Sequence, residues 1–261
     1  MGIFKKSQPL EIQRSPSSVR SEKVILEKTE SISRGGGYAR RGVYSGAIRF
    51  VGDSEKTQIP MVIKAYNHPG PQYEATFKSL MERISKIHKQ MRDEGFRVPR
   101  TLRFDMARHF VIMTDLNING HVALSCNNDS DLIGDETLKE LPTFEKTASN
   151  LFNEAIRAGA HAYGIHSHCY MMLVPQKTGV ETDFVIADFD SLEWNPKEEV
   201  LPKETALIYV EHNLTEAHSF LREFIEKFVT PDMQSHYLSL ASVAHQKSWN
   251  SAKRKAFLKG A

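Results

Sequence analysis

The sequence predicts an α+β chain in two parts: a small antiparallel sheet carrying one helix, then a mainly helical half. Three observations predict it. Short extended runs separated by polar turns crowd the first half, one strongly amphipathic helix interrupts them, and beyond a loose polar connection the apolar residues return at helical spacing. With 261 residues the chain is long enough for one large core or for two smaller lobes around a cleft.

Residues 1–24 are polar, with Ser7, Gln8, Pro9, Ser15, Pro16, Ser17, Ser18 and Ser21, and are expected to be a disordered leader. A first lobe is expected over residues 25–116. It holds Val43-Tyr44-Ser45-Gly46-Ala47-Ile48-Arg49-Phe50, a turn through Gly52-Asp53-Ser54, and Pro60-Met61-Val62-Ile63-Lys64-Ala65-Tyr66, which read as two antiparallel strands. The helix that follows places Tyr73, Phe77, Leu80, Ile84, Ile87 and Met91 three and four apart, and Gly95 closes it. Two further strand-like runs, Thr101–Asp105 and His109–Thr114, complete this half.

A second lobe is expected over residues 117–261. It begins with a connection rich in Asn117, Asn119, Gly120, Asn127, Asn128 and Asp129. A central helix is predicted from Phe144, Ala148, Leu151, Ala155, Ala158 and Ala162, with Pro142 near its first turn. Tyr170–Pro175 and Asp183–Asp188 then read as a hairpin around Lys177-Thr178-Gly179. The remainder is helical, including Ala217, Phe220, Leu221, Phe224, Ile225 and Phe228 before Thr230-Pro231.

Composition excludes several classes. A formal net charge of +2 gives no electrostatic case for nucleic acid or an anionic membrane. No apolar run reaches the ~20 residues that span a bilayer, so no transmembrane segment is expected. The two cysteines, Cys126 and Cys169, build no disulfide framework and suit a reducing compartment such as the cytoplasm. Met1-Gly2 begins like an acylation signal, but the hydroxyl residue falls at Ser7, one place late.

Chemistry-bearing residues cluster in four places. Gly35-Gly36-Gly37 enters a strand, where bare amides approach phosphates closely, although three consecutive glycines are as often a plain turn. Lys64 sits on an apolar strand, where burying an ammonium is costly unless its head reaches a cleft or a carboxylate. Of the carboxylates on the next helix, Glu74 lies about 100° from the apolar stripe and Glu82 about 180° away, so Glu74 is the favoured partner. Val185-Ile186-Ala187-Asp188-Phe189-Asp190 is an apolar strand ending on two carboxylates. An early fixed ammonium and a late carboxylate for Mg²⁺ are the minimum equipment for handling ATP.

These elements together, with Val62-Ile63-Lys64, the hinge-like Val111-Ile112-Met113-Thr114-Asp115 and the Asp188 strand, resemble the protein-kinase fold over about residues 30–195. The chain is similar to minimal bacterial effector kinases and to atypical kinases of the aminoglycoside-phosphotransferase type. The resemblance implies a two-lobed kinase-like fold binding ATP with Mg²⁺ or Mn²⁺. Lys64 would contact the α- and β-phosphates, Glu74 would orient it, and Asp188 with Asp190 would hold the metal. Gly35, Gly36, Gly37, Met113 and Asp115 would border the nucleotide. It also implies a protein substrate or binding partner. The serine-rich start matches effectors delivered by injection, which makes a host protein the expected partner and delivery into a host cell the alternative to a cytoplasmic location.

The catalytic loop departs from that pattern. Where the family has His-x-Asp and then Asn, the chain reads Gly164-Ile165-His166-Ser167-His168-Cys169-Tyr170-Met171, with no carboxylate. Counting back from the next strand puts His166 in place of the catalytic Asp and Met171 in place of the Asn; counting forward from Gly164 favours His168. Either imidazole, with an ordinary pKa of ~6.5, can act as a base, but a thioether is no ligand for Mg²⁺. Three functions follow: a phosphotransferase with histidine as base, a pseudokinase serving as a binding module, and a kinase-fold enzyme of other chemistry such as nucleotidyl transfer. His161, His166, His168 and Cys169 would also suit Zn²⁺. The basic end, Lys247, Lys253, Arg254, Lys255 and Lys259 around Trp249 and Phe257, is expected to be a solvated final helix rather than a docking surface for an acidic partner.

Overall fold

The computed structural model describes residues 9–14, 21–34, 40–50, 59–66, 71–99, 101–105, 110–114, 121–126, 138–159, 162–163, 165–189, 192–194 and 202–258. They belong to two compact units, Met1–Asn119 with Asn128–Leu132, and Gly120–Asn127 with Ile133–Ala261. The fold is α+β, with an antiparallel sheet unit and a helical unit.

In the first unit, β1 (Pro9–Arg14), β2 (Ser21–Arg34), β3 (Arg40–Phe50), β4 (Ile59–Tyr66), β5 (Thr101–Asp105) and β6 (Phe110–Thr114) form a closed barrel in the order β1-β2-β3-β4-β6-β5. One expectation is corrected: Pro9–Arg14, expected within a disordered leader, is a strand paired with both β2 and β5. The sequence signal there is only Leu10 and Ile12 alternating with polar residues; pairing on both edges satisfies the backbone groups that so short a pattern cannot stabilise by itself.

Helix α1 (Pro71–Asp93) follows β4. Its Phe77, Met81, Ile84, Ile87 and Met91 are buried, whereas Glu82 is exposed, as the helical period requires. Gly95, at φ 75°, ends it: the Gly95 N–H donates to Arg92 O and the Phe96 N–H to Met91 O, a left-handed cap that favours glycine. The barrel side of this core holds Ile63, Leu102, Phe104 and Ile112.

In the second unit, β7 (His121–Leu124), β9 (Tyr170–Pro175) and β10 (Asp183–Ile186) form one sheet in the order β10-β9-β7, and β8 (Ala162–Tyr163) pairs with β11 (Glu193–Trp194). The expected hairpin is present, its turn carrying Gly179 at φ 85°. Strand β7 was hidden in the polar connection because four residues flanked by asparagines carry too little pattern to detect.

Three helices complete this unit: α2 (Phe144–Ala158), α3 (Lys203–Phe228) and α4 (Pro231–Leu258). Helix α2 stops at Gly159, so Ala162, expected on its apolar face, lies in β8 instead. A side chain at Gly159 would meet Val210 of α3, which is why the helix ends on the one residue without a Cβ. Pro231 opens α4, where its missing N–H has no helical partner to lose. The final helix is not wholly solvated: Tyr237, Ala241, Ala244 and Ala252 are buried, and the Tyr237 hydroxyl accepts the Leu141 N–H at 2.8 Å.

Candidate functional site

The residues with chemistry in the second unit gather around one turn. Ile165 is fully buried and anchors its start; His166 is extended, and Ser167–Cys169 closes a 3-10 turn in which the Cys169 N–H donates to His166 O at 2.9 Å. Cys169 and Tyr170 are fully buried. Apolar anchors on both sides hold the intervening His166, Ser167 and His168 at part exposure.

The end of β10 is moored to this turn. The Ala187 N–H donates to Cys169 O at 2.8 Å, and the Asp188 N–H points to the same carbonyl at 3.4 Å. Asp188 is 5% exposed, after the buried run Val185, Ile186 and Ala187. The strand-end carboxylate and the two imidazoles of the turn are therefore held by adjacent backbone. Met171, at the position where the resemblance expects a metal-binding Asn, lies in β9 opposite Val185.

Helix α3 brings a third contribution. His212 and Glu216 stand one helical turn apart and so share a face. The Ser167 N–H donates to Glu216 Oε2 at 2.8 Å, and His166 Nδ1 lies 3.7 Å from the same oxygen. The His166 ring stacks on His168 at 5.4 Å and meets His212 edge-on at 5.5 Å. Ligand atoms of His166, His212 and Glu216 all lie within 4.8 Å of one another. The sequence does not single out His212 and Glu216: their His-x-x-x-Glu spacing lies in a stretch expected to be helical, but nothing local signals that this face meets the His166 turn.

In the first unit, Lys64 lies on β4 opposite Val43 and Val111 and is 6% exposed. Met113, on β6 opposite Val62 and Leu102, is 1% exposed. Glu74 falls within α1, with its side chain outside the described residues; Gly35, Gly36, Gly37, Asp115, Asp190 and His161 also lie outside them. Of the four residues considered for Zn²⁺, only His166 belongs to the group within ligand reach among the described residues. Cys169 is instead a buried turn anchor, and Cys126 donates its thiol to Phe220 O at 3.6 Å while burial pushes its pKa up to about 12, so neither has the character of a thiolate nucleophile. Neither cysteine forms a disulfide, and among the described residues no helix is long and apolar enough to cross a membrane.

No protein-family model matches the sequence, and no curated protein does. Among solved structures, the chain is similar to ROP2 from Toxoplasma gondii, described as a virulence factor with a protein-kinase fold and no enzymatic activity. The two share 10% identity at a TM-score of 0.44, over 98% of this chain and 86% of that one.

Proposed function

We propose that this chain is a pseudokinase: a kinase-like binding module that takes up nucleotide and engages a protein partner without efficient phosphate transfer. One observation carries the reading. At the turn where the resemblance calls for a catalytic carboxylate stand His166, Ser167, His168 and Cys169, and the carboxylate at that turn, Glu216, comes from α3 and is engaged by the Ser167 N–H. A carboxylate held by a backbone donor beside an imidazole is arranged to fix the turn rather than to accept a proton from an incoming hydroxyl. Support for nucleotide uptake comes from the burial, each within its own unit, of the two charged residues that the sequence resemblance assigns to phosphate and metal, Lys64 and Asp188.

The deciding experiment pairs binding with turnover. ATP is titrated with and without Mg²⁺ or Mn²⁺ against the full chain, Lys64→Ala and Asp188→Ala, following the melting temperature. The same proteins are incubated with γ-labelled ATP and host-cell lysate. A metal-dependent shift lost in both variants, with no label incorporated, is the expected result. Incorporation that depends on both residues would overturn it in favour of a host-directed phosphotransferase. That second reading is favoured by the part-exposed imidazoles of His166 and His168, either of which can serve as base, in the turn whose Cys169 carbonyl faces the Asp188 N–H. Label from α-labelled ATP alone would point to nucleotidyl transfer.

A further inference from the structure

We infer that His166, His212 and Glu216 form a Zn²⁺-binding site, built from the turn before β9 and one face of α3. Two imidazole nitrogens and one carboxylate oxygen are the donor set of open zinc sites, in which the fourth position is left to water or a substrate. The three ligand atoms lie within 4.8 Å of one another. A tetrahedral set at metal–ligand lengths of about 2.1 Å needs separations of about 3.4 Å, which is within reach of small side-chain rotations. Contraction is least demanding on one edge, where His166 Nδ1 is already 3.7 Å from Glu216 Oε2.

Three further features fit an ion. The helix fixes His212 and Glu216 on one face, so two of the three ligands are positioned by backbone alone. The Ser167 N–H bond to Glu216 Oε2 at 2.8 Å orients the carboxylate from outside the donor set, as partners of metal ligands do elsewhere. All three residues are part-exposed, so an ion has a path in. Zinc held here would occupy His166, one of the two imidazoles that the sequence offers in place of the missing carboxylate, and would tie the turn to α3.

The test uses the untagged full chain, stripped by a chelator and titrated calorimetrically with Zn²⁺ alone, with Co²⁺ as a spectroscopic probe of coordination geometry. A single saturable site with tetrahedral Co²⁺ bands is expected. Its affinity should fall more than about tenfold in Glu216→Gln and in His212→Ala, and hold in His236→Ala, an exposed imidazole on α4. Glu216→Gln keeps an acceptor for the Ser167 N–H, so it decides the matter if His212→Ala does not fold. Absence of saturable uptake, or uptake unchanged in Glu216→Gln, or lost equally in His236→Ala, would overturn the site. No nucleotide enters this experiment, so its outcome is independent of the binding-module reading.

Discussion

Gly159 shows how a single absent methyl group decides where two helices meet. A Cβ there would lie 2.5 Å from Val210 Cγ2, 2.7 Å from Val210 Cα and 2.8 Å from Val210 N, and the last two are backbone atoms that cannot rotate away. Gly159→Ala is therefore expected to destabilise the chain by about 1–3 kcal/mol, measured as a lower denaturation midpoint. Gly179→Ala meets no atom within 4 Å and bears only the strain of its φ of 85°, so it should cost about 1 kcal/mol. Tyr170 carries the opposite lesson. It is fully buried against Phe220 at 5.4 Å, its hydroxyl has no hydrogen-bond partner among the described residues, and burial pushes its pKa well above the usual phenol range. Tyr170→Phe should raise the unfolding free energy by about 1 kcal/mol; a fall in the denaturant midpoint would contradict this.

Between helices the same desolvation acts on a pair of imidazoles. His218 of α3 and His245 of α4 stack at 4.8 Å, and His245 meets Phe152 of α2 edge-on at 5.4 Å. Burial lowers the pKa of both, assisted by Arg222 at His218 and by His218 at His245. Burial likewise lowers that of His88 in α1, which hydrogen-bonds Pro99 O at 2.5 Å. A folded pKa below the ordinary 6.5 means that the unfolded chain binds more protons in the window beneath that value. Stability should thus be full above pH ~6.5 and fall as the pH drops towards the folded pKa values. Denaturant midpoints at about pH 7 and about pH 5 check this. His245→Phe should flatten the fall, because it removes one of the groups that must charge.

For the whole molecule, nucleotide linkage gives the measurable quantity. A ligand that binds only the folded chain, present at 100 times its Kd, adds about 2.7 kcal/mol to the unfolding free energy. ATP with Mg²⁺ should do this for the native chain and fail to do so for Asp188→Ala and Lys64→Ala, which separates uptake from any turnover. A shift in both variants equal to that of the native chain would place the nucleotide elsewhere.

The sequence by itself determined the α+β class, the paired strands β3–β4, the strand runs β5 and β6, helix α1 with its glycine stop, the β9–β10 hairpin and the carboxylate at its end. Each is written in local periodicity or in a residue with one conformational use, such as Gly95. Strands β1 and β7 and the true end of α2 were decided only in three dimensions, since short segments draw their stability from partners distant in the chain. The same holds for the group at His166. Its companions His212 and Glu216 arrive from a helix some forty-six residues onward, and proximity of that kind comes from packing, because side-chain patterning reports which face a residue occupies and not what that face will meet.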